Sequence, residues 1–224
     1  STEEAVKLIR GEKGTVVELR IVREGEVKEI SITRDIIQVP TIEATLDTKN
    51  DVFTISLYSF SANSASLFTK ALTAFRSSGS HRLLIDLRGN PGGYLSAAVS
   101  VVSHFLPAGD VVVTEDYDGH RENIIHKSKG TGGIPEGTRV VVLINQGSAS
   151  ASEIVAGALK DTKKATIIGS TSFGKGSVQE LVDIGEGSLK VTVARWLTPN
   201  GTSISHKGLT PDIEVERTQE DVLA

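Results

Sequence analysis

The strongest constraint in this sequence is a recurring order of short apolar runs, each closed by a turn of small residues, beyond residue 50. Leu83-Leu84-Ile85 ends at Asp86 and passes through a glycine-bearing turn, Arg88 to Gly93, into a helix expected from about Leu95 to Phe105. Val140 to Ile144 reads as a strongly buried strand. Asn145 to Ala149 then turns the chain into a helix from about Ser150 to Lys160. Thr166-Ile167-Ile168 is the next strand. Runs this short suit strands rather than helices.

The remaining pattern agrees. Phe53, Ile55 and Leu57 alternate with Thr54 and Ser56, which is strand spacing, whereas Leu67, Phe68, Ala71, Leu72 and Phe75 recur at helical spacing. Val111 to Val113 and Glu122 to His126 are expected strands around a polar turn, and Lys127 to Gly137 an exposed loop. Strands near Gln179 to Val182 and Leu189 to Ala194 complete the core. Alternating strands and helices predict an α/β class, and the hairpin-like segments make the sheet mixed.

Residues before this domain form a separate pattern. Ser1 and Glu4 have capping-box spacing ahead of a helix whose apolar face is Ala5, Val6, Leu8 and Ile9, with Gly11 at its end. Strands Val16 to Val22 and Val27 to Ile32 follow, joined at Glu24-Gly25. One helix and one hairpin are too little for an independent core, so this is the expected tail of a small domain. Arg34 to Asn50, with Pro40, reads as a connector.

Composition removes several classes of function. A net charge of −4 and no run of Lys and Arg argue against a nucleic-acid binder. The absence of cysteine excludes disulfides and thiolate metal sites. No stretch of about 18 apolar residues exists, so no membrane span is expected. With no methionine and no signal peptide, the chain reads as a fragment or a mature form.

Three segments carry candidate chemistry. Gln146 to Glu153 contains Ser148, Ser150 and Ser152 at the start of a helix. There the first N–H groups lack intrahelical partners and would stabilise an oxyanion. Ser150 and Glu153 also have capping-box spacing, and spacing alone does not choose among the three serines. Gly169 to Gln179 carries Lys175 between Gly174 and Gly176. It nearly matches the phosphate-binding pattern G-x-x-x-x-G-K-[ST], but Gly176 stands where Ser or Thr is needed, and β-branched Val178 favours an extended chain over the required helix. The other reading is a lysine base. An ordinary lysine is protonated at neutral pH, with a pKa near 10.4, and desolvation lowers it. In an extended chain Lys175, Ser177 and Gln179 share a face, so Gln179 could orient the amine. Asp86 to Gly93 forms a turn able to present backbone N–H groups to an anion, with Gly93 or its neighbour as a donor. Asp86 and Arg88 are expected to pair. None of the five histidines lies in a small-residue turn, and no paired-histidine zinc motif exists.

Together Asp86 to Gly93, Gly147 to Glu153 and Phe173 to Gln179 resemble, in order and spacing, the carboxy-terminal processing (tail-specific) serine proteases. The resemblance covers about residues 35 to 215, including Gly208 to Asp212. It implies a crotonase/Clp-protease-like β-spiral core at 35–224 and the C-terminal part of a PDZ domain at 1–34. Ser150 would be the nucleophile, Lys175 the base and Gln179 its support, with Gly93 and Ala151 amides as oxyanion donors. No cofactor or metal is implied. The expected partners are protein or peptide substrates with apolar C-terminal tails, with self-association into a homo-oligomer left open. The expected location is extracytoplasmic: a bacterial periplasm or cell envelope, or a thylakoid lumen. The alternatives are a non-catalytic peptide-binding module and a phosphate-binding enzyme using Gly169 to Lys175.

Overall fold

A computed structural model describes residues 2–23, 25–36, 40–185 and 187–215. The chain divides into two compact units, residues 1–39 and 40–224. In the first, helix α1 (Thr2–Ile9) precedes the antiparallel pair β1 (Val16–Arg23) and β2 (Glu26–Thr33). Arg34 holds them together. Its guanidinium donates to the carbonyls of Ile9 (2.7 Å) and Leu8 (3.2 Å), which have no partner inside the helix, and to Thr15 Oγ1 (2.8 Å). No described residue of this unit is buried, as expected for too short a piece to form a core. Ser1 of the expected capping box and Glu24 of the hairpin turn lie outside the described residues.

The second unit holds two sheets. The strands of the larger are β3 (Ile42–Asp47), β4 (Val52–Leu57), β5 (Arg82–Asp86), β8 (Arg139–Ile144), β9 (Thr166–Gly169) and β12 (Ile213–Glu214), in the order β12-β9-β8-β5-β4-β3. All neighbours are parallel except β3 and β4. The smaller sheet is antiparallel, in the order β10 (Ser177–Asp183), β11 (Ser188–Leu197), β6 (Val111–Asp116) and β7 (Ile124–Lys127). Helices α2 (Ser64–Ser78), α3 (Leu95–Val102) and α4 (Ala151–Asp161) complete it.

Burial follows the sequence pattern. Phe53, Ile55 and Leu57 on β4, Leu83 and Ile85 on β5, and Val140, Val142 and Ile144 on β8 turn one face into a common core with Phe68, Leu72 and Phe75 of α2. Helix α4 is buried at every position from Ala151 to Leu159 and packs on α3, on β9 of one sheet and on β6 of the other. A helix buried all round is fixed at both ends, which makes its N-terminus a rigid platform.

Two expectations differ from the structure, and one strand has no counterpart among them. The presumed connector contains β3, an edge strand in which only Ile42 is half-buried, so it has little apolar signal. Helix α3 stops at Val102 rather than near Phe105; tighter bonds from His104 to Val101 and from Phe105 to Val102 wind the chain down before Pro107. Strand β12 has two residues, too few to show a period.

Gly169 closes β9 with φ 132°, and a Cβ there would stand 2.0 Å from the Ile144 carbonyl oxygen. Gly169→Ala is expected to lower stability by about 2–4 kcal/mol. In urea unfolding this would appear as a lower midpoint at an unchanged slope.

Candidate active site

The turns that leave β5, β8 and β9 converge because β8 lies between the other two strands. Side chains bond the turns to one another. Asn145 Oδ1 accepts from the N–H of Gly89 (2.9 Å) and of Gly147 (3.0 Å), and Ser148 Oγ donates to the Leu87 carbonyl (2.7 Å). Asn90 is fully buried. Its Nδ2 donates to the Leu57 carbonyl (2.7 Å), its Oδ1 accepts from the Gly92 N–H (2.9 Å), and its own carbonyl accepts from Ala149 N–H and Ser152 Oγ (both 3.0 Å). The expected Asp86–Arg88 pair is present and two-pronged, at 2.9 and 2.6 Å. Its hydrogen bonds hold the guanidinium even more firmly protonated than usual.

The structure separates the three serines that spacing left equivalent. Ser148 and Ser152 are fully buried, and their hydroxyls are committed to the carbonyls of Leu87 and Asn90. Ser150 is half-buried and stands at the N-cap of α4 in a capping box with Glu153, and among the described residues its hydroxyl donates to no other group. Its backbone has φ 55° and ψ −115°, outside the ordinary left-handed basin. A non-glycine residue in such a region carries strain of about 1–3 kcal/mol. Gly92 packs closely here: a Cβ placed on it would lie 2.8 Å from Ser150 Cβ.

Glu153 organises the site. Its carboxylate is fully buried. Oε2 accepts from Ser150 N–H (2.7 Å) and Lys175 N–H (3.0 Å), and Oε1 accepts from Gly174 N–H and Ser172 Oγ (both 2.6 Å). Because one oxygen serves both Ser150 and Lys175, their backbone nitrogens lie within roughly 6 Å of each other. Capping-box spacing pointed to the Ser150 contact, but no sequence signal reveals the other three, which come from a segment about twenty residues away. The Phe173 N–H also donates to the Ser148 carbonyl (3.0 Å).

The Gly93 and Ala151 amides make no hydrogen bond among the described residues. Ala151 follows Ser150 directly, and Gly93 follows Gly92, on which a Cβ would be 2.8 Å from Ser150 Cβ and 2.9 Å from Ala151 N; a Cβ on Gly93 would be 2.2 Å from the Phe60 carbonyl oxygen. Only glycines allow this approach. Unpaired amides in the turns that meet at this helix N-terminus suit an anion that forms on a carbonyl under attack.

Lys175 is tethered by its backbone, but its side chain is exposed, and among the described residues its amine makes no hydrogen bond to Ser150. The expectation of an amine held dry against the hydroxyl is therefore not met in this conformation. Gln179 is likewise exposed, on β10, where the pairing with β11 shifts register between Val178 and Gln179. The segment after Lys175 is a strand, not the helix that a phosphate-binding loop requires. His104 bonds to Thr69 and Gly132, and His126 to Glu115; neither bonds to Ser150. Among the described residues no group of His, Asp or Glu could hold a metal ion, and no helix is long and apolar enough to cross a membrane.

The chain matches the family described as Peptidase family S41 over residues 51–215. It is 43% identical over 222 residues to a carboxy-terminal-processing protease of Bartonella bacilliformis, covering 96% of this chain and 50% of that protein. To a carboxyl-terminal-processing protease of a Synechocystis strain it is 38% identical, covering 97% and 51%. Among solved structures it is similar to a photosystem II D1 C-terminal processing protease, with TM-score 0.75, 32% identity and coverage of 96% of this chain and 59% of that one. The chain thus spans about half the length of these curated relatives.

Glu153→Gln leaves one acceptor for four donors and sets an amide N–H₂ against them. It should cost about 2–4 kcal/mol, lowering the melting temperature by roughly 5–15 °C. A calorimetric scan against the unsubstituted protein checks this.

Proposed function

Because the chain belongs to peptidase family S41, we propose that it is the catalytic part of a serine endopeptidase that cleaves proteins near their C-terminal tails through an acyl-enzyme. The observation that carries this reading is the strained backbone of Ser150 at the head of α4, whose N–H shares one Glu153 oxygen with the Lys175 N–H, with the unpaired Ala151 amide next to it.

In the proposed reaction the Lys175 side chain turns inward, a rotamer change over a gap its four-carbon stem can bridge. Substrate covering the turn removes water from the amine and favours its neutral form. The amine takes the Ser150 proton as Oγ attacks the peptide carbonyl. The Gly93 and Ala151 amides stabilise the oxyanion by about 3 kcal/mol each. The resulting ammonium protonates the leaving amine, and water releases the acyl group. Gln179 would orient the amine from β10.

Residues 35–224 form the protease core in this reading, and 1–34 the end of a PDZ domain that takes the substrate tail by strand addition. Apolar tails as substrates and an extracytoplasmic location belong to the same proposal. The exposed Lys175 amine is the one observation that favours the alternative, a peptide-binding module without turnover.

Cleavage of a tailed protein substrate by the full-length protein decides between them. Ser150→Ala should reduce kcat by at least about 10³-fold and Lys175→Ala by about 10²–10⁴-fold, with melting temperatures within a few degrees of the parent. Undiminished turnover in either variant overturns the assignment, and binding without any cleavage by the parent selects the alternative.

A further inference from the structure

Phenylalanine is used in this chain almost entirely for the core. Phe53, Phe60, Phe68, Phe75 and Phe105 are at most 9% exposed, whereas Phe173 is 66% exposed. Among the tyrosines, Tyr117 is 3% exposed and Tyr58 is 38% exposed with its hydroxyl bonded to Glu43, while Tyr94 is 61% exposed. Single exposed apolar residues are ordinary on a protein surface. The positions of these two are not. Tyr94 directly follows Gly93 in the turn after β5, and its backbone is held by the Phe60 carbonyl (2.8 Å). Phe173 lies in the segment after β9, two residues before Lys175, and its N–H is held by the Ser148 carbonyl. The strand order places Ser150, which follows β8, between them. Both backbones are fixed, and both rings are left in water.

We propose that Tyr94 and Phe173 are specificity-determining residues, each packing its ring on an apolar side chain of the peptide substrate on its own side of the scissile bond. This rests on the protease reading above. The turns after β5 and β9 are two strand spacings apart, about 10 Å, which is roughly the length of three extended residues. A peptide running across the strand ends with its carbonyl at Ser150 therefore reaches one ring with residues before the bond and the other with residues after it. Apolar side chains at both places remove the rings from water; polar ones leave their own groups unpaired against them.

The test uses the full-length protein and two quenched peptides that differ only in the residues flanking the cleaved bond, leucine and valine in one, serine and asparagine in the other. The parent should prefer the apolar peptide. Phe173→Ala and Tyr94→Ala should each lower the ratio of kcat/KM, apolar over polar, about tenfold or more, and Phe173→Leu should largely restore it. A purely structural role would lower both peptides alike and leave the ratio unchanged. A ratio within twofold of the parent's in either alanine variant overturns the assignment for that residue. Absence of Ser150-dependent cleavage of both peptides is a distinct result that overturns the protease reading itself, and this one with it.

Discussion

One buried carboxylate holds the candidate site together. Glu153 sits in the first turn of α4 with no exposure, and its two oxygens take four hydrogen bonds. A buried charge is tolerated only when its acceptor sites are filled, so the requirement works in both directions. The chain from Ser172 to Lys175 must lie against the helix start, or the charge is left unpaired. Ser172 extends the constraint, since its hydroxyl also accepts from the Leu209 N–H (2.7 Å). The lysine-bearing segment is thus clamped between a helix and a distant loop, and backbone N–H groups supply most of the clamp. Specificity of this kind survives side-chain motion, which leaves the Lys175 amine free to swing while its backbone stays in place.

The parallel strands supply the second constraint. Loops that leave neighbouring parallel strands emerge at the same end of the sheet, where ligands of open α/β sheets bind. Here three such loops meet, and buried Asn90 and Ser148 together with half-buried Asn145 satisfy backbone groups that the turns would otherwise leave unpaired. Ser150 and the Gly93 and Ala151 amides are the groups left over. Around them the backbone is forced into conformations that only glycine accepts easily, at Gly92 and Gly93, or that a serine adopts under strain, at Ser150. Strain and unpaired donors concentrated at one point mark where the fold gives up stability for chemistry.

A similar contrast runs through the larger side chains. Five of the six phenylalanines are spent inside the core, yet Phe173 and, among the tyrosines, Tyr94 stand exposed in the turns that flank the one carrying Ser150. The smaller antiparallel sheet ends at β10, which carries Gln179 on an edge with no strand beyond it among the described residues.

The amino-acid sequence by itself determined the elements of the core and the three chemical segments. Alternation of Phe53, Ile55 and Leu57, the compact run Val140 to Ile144 and the helical spacing of Leu67 to Phe75 are local signals of burial, and local signals survive in a linear text. Strand β3 was not legible because an edge strand has no buried face to write a period, and β12 because two residues show none. Spacing alone did not choose among the three serines either; only the family resemblance pointed to Ser150. Ser148, Ser150 and Ser152 are chemically alike, and only the carbonyls of Leu87 and Asn90, folded against two of them, leave the third with its proton uncommitted. The convergence of Ser150 with Lys175 is likewise a tertiary fact, because the oxygen that joins them belongs to a glutamate whose partners are distant in sequence and near only once the sheet has formed.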